Sequence, residues 1–182
     1  STARGEVVDS LDLYMHAGDS CMQQYNTFEA LKHYQCAFEL SDVVATRTKL
    51  ADCYYKRANY RQAAELLKNV PEDSLSHDAF REIALGYQKQ GDLDSYIYWA
   101  TQLVERYPMD GEIVAGLTLA LAQKNQPDKG LIYGLNYSLH DMNNILVNRA
   151  VADAYFLNRD FSAASVWYEG LMQQGDSTFN NR

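Results

Sequence analysis

Basic residues are scarce in this chain. Sixteen Lys and Arg stand against 24 Asp and Glu in 182 residues, a net charge of −8. The longest basic cluster is Lys56-Arg57, continued by Arg61. Nucleic-acid backbones and anionic membrane surfaces both demand clustered Lys and Arg, so neither is expected as the main partner. No apolar stretch approaches the roughly 20 residues that span a bilayer, so no membrane insertion by this segment is expected. Cysteine is also sparse. Cys21, Cys36 and Cys53 are odd in number and lack CxxC spacing. They are read as buried small hydrophobes, with a Cys36–Cys53 bridge as the minor alternative. Only three prolines occur, Pro71, Pro108 and Pro127, each where a helix should stop or start.

The motifs that carry chemistry are missing too. There is no GxxxxGK[ST] or GxGxxG phosphate loop, no HExxH, and no GxSxG. His16, His33, His77 and His140 are scattered without ligand spacing, so no metal or cofactor is expected. Asn136-Tyr137-Ser138 matches a glycosylation sequon but falls inside an expected helix, and is read as chance. The chain is expected not to be an enzyme.

What is present is a period. Hydrophobic residues make up 47% and charged residues 22%, ordinary for a folded chain. One position recurs near the start of alternate helices: Ala30, Ala63, Tyr96 (a departure from small), Gly130 and Ala164. The steps between successive members are all about 34 residues, the mark of a repeat array. In such a solenoid the units bury their apolar faces on one another. Apolar spacing predicts ten helices, at 7–23, 26–40, 43–57, 60–69, 76–90, 93–106, 110–124, 127–138, 142–158 and 161–173. Short polar turns such as Lys89-Gln90-Gly91-Asp92 force the two helices of a pair antiparallel. Ser76, Asp110, Asp141 and Asp160 are the expected N-caps. Gly18, Ala51, Ala84 and Ala152 are small on first helices, and Ala30, Ala63 and Ala164 on second helices. Small residues at a crossing let helices approach closely. Tyr34, Tyr54, Tyr87, Tyr155 and Tyr168 fill beside them, and about three-quarters of the 14 tyrosines are expected in or near the core.

These residues, with Gly91 in its turn and Pro108 after a second helix, resemble the tetratricopeptide repeat family, whose helix–turn–helix unit is about 34 residues long. The resemblance covers nearly the whole chain, as repeats at about 7–41, 42–74, 75–108, 109–140 and 141–174 of one repeat domain. The fourth, with Gly116-Leu117-Thr118-Leu119 and Gly130-Leu131-Ile132-Tyr133-Gly134, keeps the period but loses the aromatic pattern. The family's Trp in the first helix is absent. The implied fold is all-α, a right-handed α-solenoid of antiparallel helix pairs. Gly175-Asp176-Ser177-Thr178-Phe179 reads as the turn and first residues of a further unit over 175–182. The chain begins at Ser1 without an initiator Met, so an N-terminal segment is expected to have been removed.

The resemblance implies that first helices line a groove for extended peptides or partner helices. Projection gives Asp12, Met15, Asp19 and Met22, then Thr48, Asp52, Tyr55 and Lys56. The third first helix offers Arg81, Gln88 and Lys89, and the fifth Arg149, Asp153 and Phe156. Asp19, Met22, Asp52, Tyr55, Arg81, Gln88, Arg149, Asp153 and Phe156 are the candidate partner-binding residues. Asp19, Asp52 and Asp153 occupy equivalent places, as do Arg81 and Arg149. Met15 with Asp19, and Thr48 with Asp52, stand where chaperone-binding members carry the Lys and Asn of a carboxylate clamp, so that clamp is not expected. The expected function is a non-enzymatic protein–protein interaction scaffold taking a basic or mixed-charge peptide or protein. The alternative is a structural, self-associating or regulatory segment of a larger bacterial cell-envelope protein, with self-association through the C-terminal end. Composition leans toward the bacterial periplasm or envelope, with the cytoplasm as alternative.

Overall fold

The computed structural model describes residues 2–180, and side chains for residues 2–175. Ten α-helices and no strand occur among the described residues: α1 (Thr2–Gln23), α2 (Thr27–Leu40), α3 (Val44–Lys56), α4 (Tyr60–Leu67), α5 (His77–Lys89), α6 (Leu93–Arg106), α7 (Gly111–Gln123), α8 (Pro127–His140), α9 (Ile145–Leu157) and α10 (Phe161–Asn180). A 3₁₀ turn over Glu72–Ser74 follows Pro71 and was not foreseen from the sequence. The chain divides into two compact units, one ending at Asp92 and the other beginning at Leu93.

Each first helix ends in the same way. Tyr25, Ala58, Gly91, Asn125 and Arg159 all have φ between 58° and 76°, and they recur once per repeat. In each turn the next residue's N–H reaches back to a carbonyl five residues earlier: Asn26 to Cys21, Asn59 to Tyr54, Asp92 to Tyr87, Gln126 to Leu121 and Asp160 to Tyr155. The left-handed residue's own N–H bonds Met22, Tyr55, Gln88, Ala122 and Phe156 respectively. This is the Schellman arrangement, which satisfies the last carbonyls of a helix within two residues. Only one of the five positions is the glycine that the conformation favours.

Several helix starts are capped by polar side chains. Ser76 Oγ accepts from the N–H of Ala79 at 3.1 Å and Asp110 Oδ1 from that of Ile113 at 3.3 Å, as expected. Asp160 Oδ1 accepts from the Ala163 N–H at 3.2 Å. Asp141 does not cap α9. It follows the end of α8, and Asn144 caps α9 by accepting from the Val147 N–H at 3.1 Å. The three-residue delay arises because Asp141 instead folds a tight turn, accepting from the Asn143 N–H at 3.2 Å.

In the first unit α1 and α2 close on a core of Ala30, Tyr34, Leu50 and Cys53, with Met15, Met22, Phe38, Tyr54 and Leu66 packed around it. In the second unit Ile113, Leu117, Val147 and Val151 are fully buried. The fourth repeat is degenerate for a packing reason. Thr118 takes the place of the small residue on the first helix, and glycines on α8 compensate. A side chain begun at Gly130 would meet the Thr118 carbonyl oxygen at 2.5 Å, and one at Gly134 would meet Val151 Cγ2 of α9 at 2.6 Å and Thr118 Oγ1 at 3.1 Å. Tyr96, the large member of its column, is fully buried and donates its hydroxyl to the Ile113 carbonyl at 3.3 Å.

The expected turn at Gly175 does not form: α10 continues through it to Asn180. Gln174 anchors the extension, accepting from Asn148 Nδ2 at 3.1 Å and donating to the Asn143 carbonyl at 3.0 Å. The rest of that expectation concerns residues 181–182 and the side chains of 176–180, outside the described atoms. Cys53 is fully buried, its thiol donating to the Thr27 carbonyl at 3.2 Å, and Cys21 and Cys36 are half-buried. All three are free. Every tyrosine except Tyr25 and Tyr98 is buried or half-buried.

Candidate partner-binding face of the first helices

The expected aspartates are half-buried and already engaged. In the first unit the Tyr34 hydroxyl crosses from α2 to donate to Asp19 Oδ1 at 2.5 Å, and Lys49 Nζ of α3 lies 2.9 Å from the same oxygen. Burial works against the Asp19 carboxylate, but Tyr34 and Lys49 offset it and hold the group below the usual carboxylate range. Burial, then the hydrogen bond to Asp19, pushes the Tyr34 hydroxyl far up, so it remains a donor. In the second unit Tyr168 repeats the bond to Asp153 at 2.5 Å, and burial followed by Asp153 pushes the Tyr168 hydroxyl up to about 12.

Asp52, the third member of the column, has no such tyrosine. Leu67 stands where Tyr34 and Tyr168 stand. Its partners are Lys56 Nζ, 2.9 Å away one turn along α3, and Glu82 of α5. Burial opposes ionisation of Asp52, but the bonds from Glu82 and Lys56 hold it below the usual range. Burial and then Asp52 push the Glu82 carboxyl up to about 9. Burial thus favours the protonated form of Glu82 beside the Asp52 carboxylate.

Glu82 was not among the sequence candidates. It lies one repeat after Lys49, so α3 sends a cation to Asp19 and α5 sends an acid to Asp52 from the same register. The available signal was an acidic residue directly before the apolar run Ile83-Ala84-Leu85, all three of which are buried.

The remaining candidates are placed individually. Met22 is half-buried against the first unit's core, and Tyr55 packs edge-on to Tyr60 with ring centroids 5.3 Å apart. Arg81 is half-buried and Gln88 is exposed near the end of α5. In the second unit Arg149 is exposed and Phe156, also exposed, stacks edge-on to Phe161 at 5.3 Å. Asp19, Asp52 and their charged neighbours on α1, α3 and α5 thus form one connected polar strip within the first unit. Arg149, Asp153 and Phe156 form a separate set within the second.

The second-helix side carries clefts that sequence reading missed. One of about 400 Å³ opens between α2 and α4 over Leu50 and Tyr54 of α3. Its counterpart of about 370 Å³ opens between α6 and α8 over Leu121 of α7. Their walls come from helices distant in sequence, so no local pattern announces them. Among the described residues no group of three or more His, Cys, Asp or Glu could hold a metal ion, and no helix is long and apolar enough to cross a membrane.

Solved structures give the fold its class. The chain is similar to MamA, with a TM-score of 0.84 at 16% identity over 94% of this chain and 95% of that one. It is similar to the 41-end form of MamA from Desulfovibrio magneticus RS-1, with a TM-score of 0.81 at 17% identity over 93% and 97%. YrrB, described as a TPR protein with an unusual peptide-binding site, matches with a TM-score of 0.78 at 15% identity over 88% and 84%. The chain has a tetratricopeptide-repeat fold, an all-α solenoid of helix pairs. No protein-family model and no curated protein matches the sequence.

Proposed function

We propose that this protein is a non-enzymatic protein–protein interaction scaffold, and that its first helices present a charged face to a peptide or partner protein of basic or mixed charge. The carrying observation is the strip formed by Asp19 with Lys49 and Asp52 with Lys56 and Glu82 on consecutive first helices of one unit. Such a strip selects partners by charge and steers their approach. The reading is in keeping with YrrB, whose description names a peptide-binding site.

The test uses a partner captured from the native organism, identified by mass spectrometry, then purified and titrated. Asp12 and Gln88 are exposed on α1 and α5. Asp12→Lys and Gln88→Lys should each weaken binding several-fold, and added salt should weaken it further. Unchanged affinity in both variants, with loss on substituting Gln62 or Glu65 at the α2–α4 cleft, would move the site to the other face.

A second reading, self-association, is favoured by Val166 and Met172 of α10, which are 66% and 69% exposed. Light scattering over a concentration series separates the two. A mass rising with concentration, and reduced by Val166→Lys, supports self-association.

A further inference from the structure

Two carboxyl groups from different helices meet in the first unit. Asp52 of α3 has a side chain 32% exposed, whereas Glu82 of α5 is 9% exposed. Glu82 Oε2 is buried and has no hydrogen-bond partner. Native proteins rarely leave such an atom unsatisfied, and one explanation is a group that arrives with a ligand.

The charge balance says which group. Lys56 lies 2.9 Å from Asp52 and also acts on Glu82, and Lys49, which acts on Asp52, is itself paired with Asp19 at 2.9 Å, so an ionised Glu82 and Asp52 would share the single ammonium of Lys56. Around it stand Asp52 and Lys56 from α3 and Asp78 from its own helix. From α4, Tyr60 packs against Gly86, one turn further along α5, and Lys89 Nζ caps that ring at 5.6 Å rather than reaching back to Glu82. Two carboxyls stand beside one ammonium there, and the charge balance admits one more cation.

We infer that Asp52 and Glu82, with its buried and unpartnered Oε2, form the seat for one basic side chain of the bound partner, an Arg guanidinium or a Lys ammonium. The inference rests on the first-helix face being the binding face. The exchange is balanced: Glu82 releases one proton to solvent, the cation takes its place between two carboxylates, and the net charge of the site is unchanged. A planar guanidinium has donors enough for both groups, Glu82 Oε2 included. Because the free Glu82 carboxyl is pushed up to about 9, the exchange releases a proton at neutral pH and strengthens as the solution becomes more alkaline.

The experiment uses the intact protein and a blocked arginine, N-acetyl-arginine N-methylamide, with blocked citrulline as the uncharged isostere. Carboxyl ¹³C resonances of Glu82 and Asp52 are followed by NMR. The expected result is that arginine, and not citrulline, shifts the Glu82 resonance to its ionised position at neutral pH. Affinity should rise by up to about tenfold per pH unit below pH 9. Glu82→Gln, which keeps a donor to Asp52 but has no proton to lose, should remove that pH dependence. Asp52→Asn should weaken arginine binding, and with the wild-type resonances it decides the matter should Glu82→Gln fold poorly. A Glu82 resonance indifferent to arginine, or an affinity independent of pH, overturns the inference. If that occurs while a purified partner still responds to Gln88→Lys, the scaffold reading stands and only the seat falls.

Discussion

The ring of Tyr34 occupies the space that a side chain on Gly18 would need. A Cβ built on Gly18 would lie 2.6 Å from Tyr34 Cδ1, and the ring, so admitted, carries its hydroxyl to Asp19. The second unit holds the opposite solution at the equivalent positions, where Thr118 faces Gly134. In these two pairs the larger side chain stands on opposite helices, on α2 in the first and on α7 in the second.

Gly18→Ala should therefore destabilise the protein by about 1–3 kcal/mol through overpacking, read from chemical denaturation. Combining it with Tyr34→Leu should recover part of the loss, a coupling expected only of residues in contact. Strict additivity of the two substitutions would refute the contact as the cause.

The left-handed turns make a prediction of opposite sign. Ala58 has φ 61° and is exposed, so Ala58→Gly should relieve backbone strain and stabilise by about 1 kcal/mol. Gly91→Ala, at φ 76° with open space around it, should destabilise by a similar amount, about 1 kcal/mol. Thermal midpoints of the two variants should move in opposite directions.

Glu82 gives the fold a pH signature. Its folded value of about 9 lies above the ordinary carboxyl range, so between roughly pH 5 and 9 the folded state binds a proton that the unfolded state has lost. Stability supplied by the protonated form is complete below that window and is lost as pH rises through it, by at most roughly 1 kcal/mol per unit. Asp52 acts at the other end, its contribution fading as pH falls through its lowered value. Glu82→Gln should flatten the decline between pH 5 and 9 in a denaturation series, and an identical slope in the variant would contradict the assignment.

Ala63 is 1% exposed at the helix crossing of the second repeat. Ala63→Leu should overpack that crossing and destabilise by about 1–3 kcal/mol. An unchanged melting midpoint would contradict the close approach that the small-residue column implies.

Sequence alone determined the period, the helix count and the helix limits to within a few residues, apart from the longer ends of α1 and α10. Those signals are local: apolar spacing, prolines at Pro71, Pro108 and Pro127, and polar residues before helices all act within a turn or two of the chain. Asp141 shows the limit of local reading, because two polar residues near a helix start compete and Asn144 wins. The left-handed conformation at Tyr25, Ala58, Asn125 and Arg159 was not legible from residue type, since none of the four is the glycine that this conformation favours. The candidate site divides in the same way. Asp19, Asp52 and Asp153 are equivalent in the repeat, and that equivalence was legible in the spacing. Their partners were not, because Tyr34, Lys49, Glu82 and Tyr168 reach them from other helices. Whether an aspartate on this face meets a hydroxyl, an ammonium or a second carboxyl is settled by which helix packs beside it, and only the folded chain brings those charges within a few ångströms of one another.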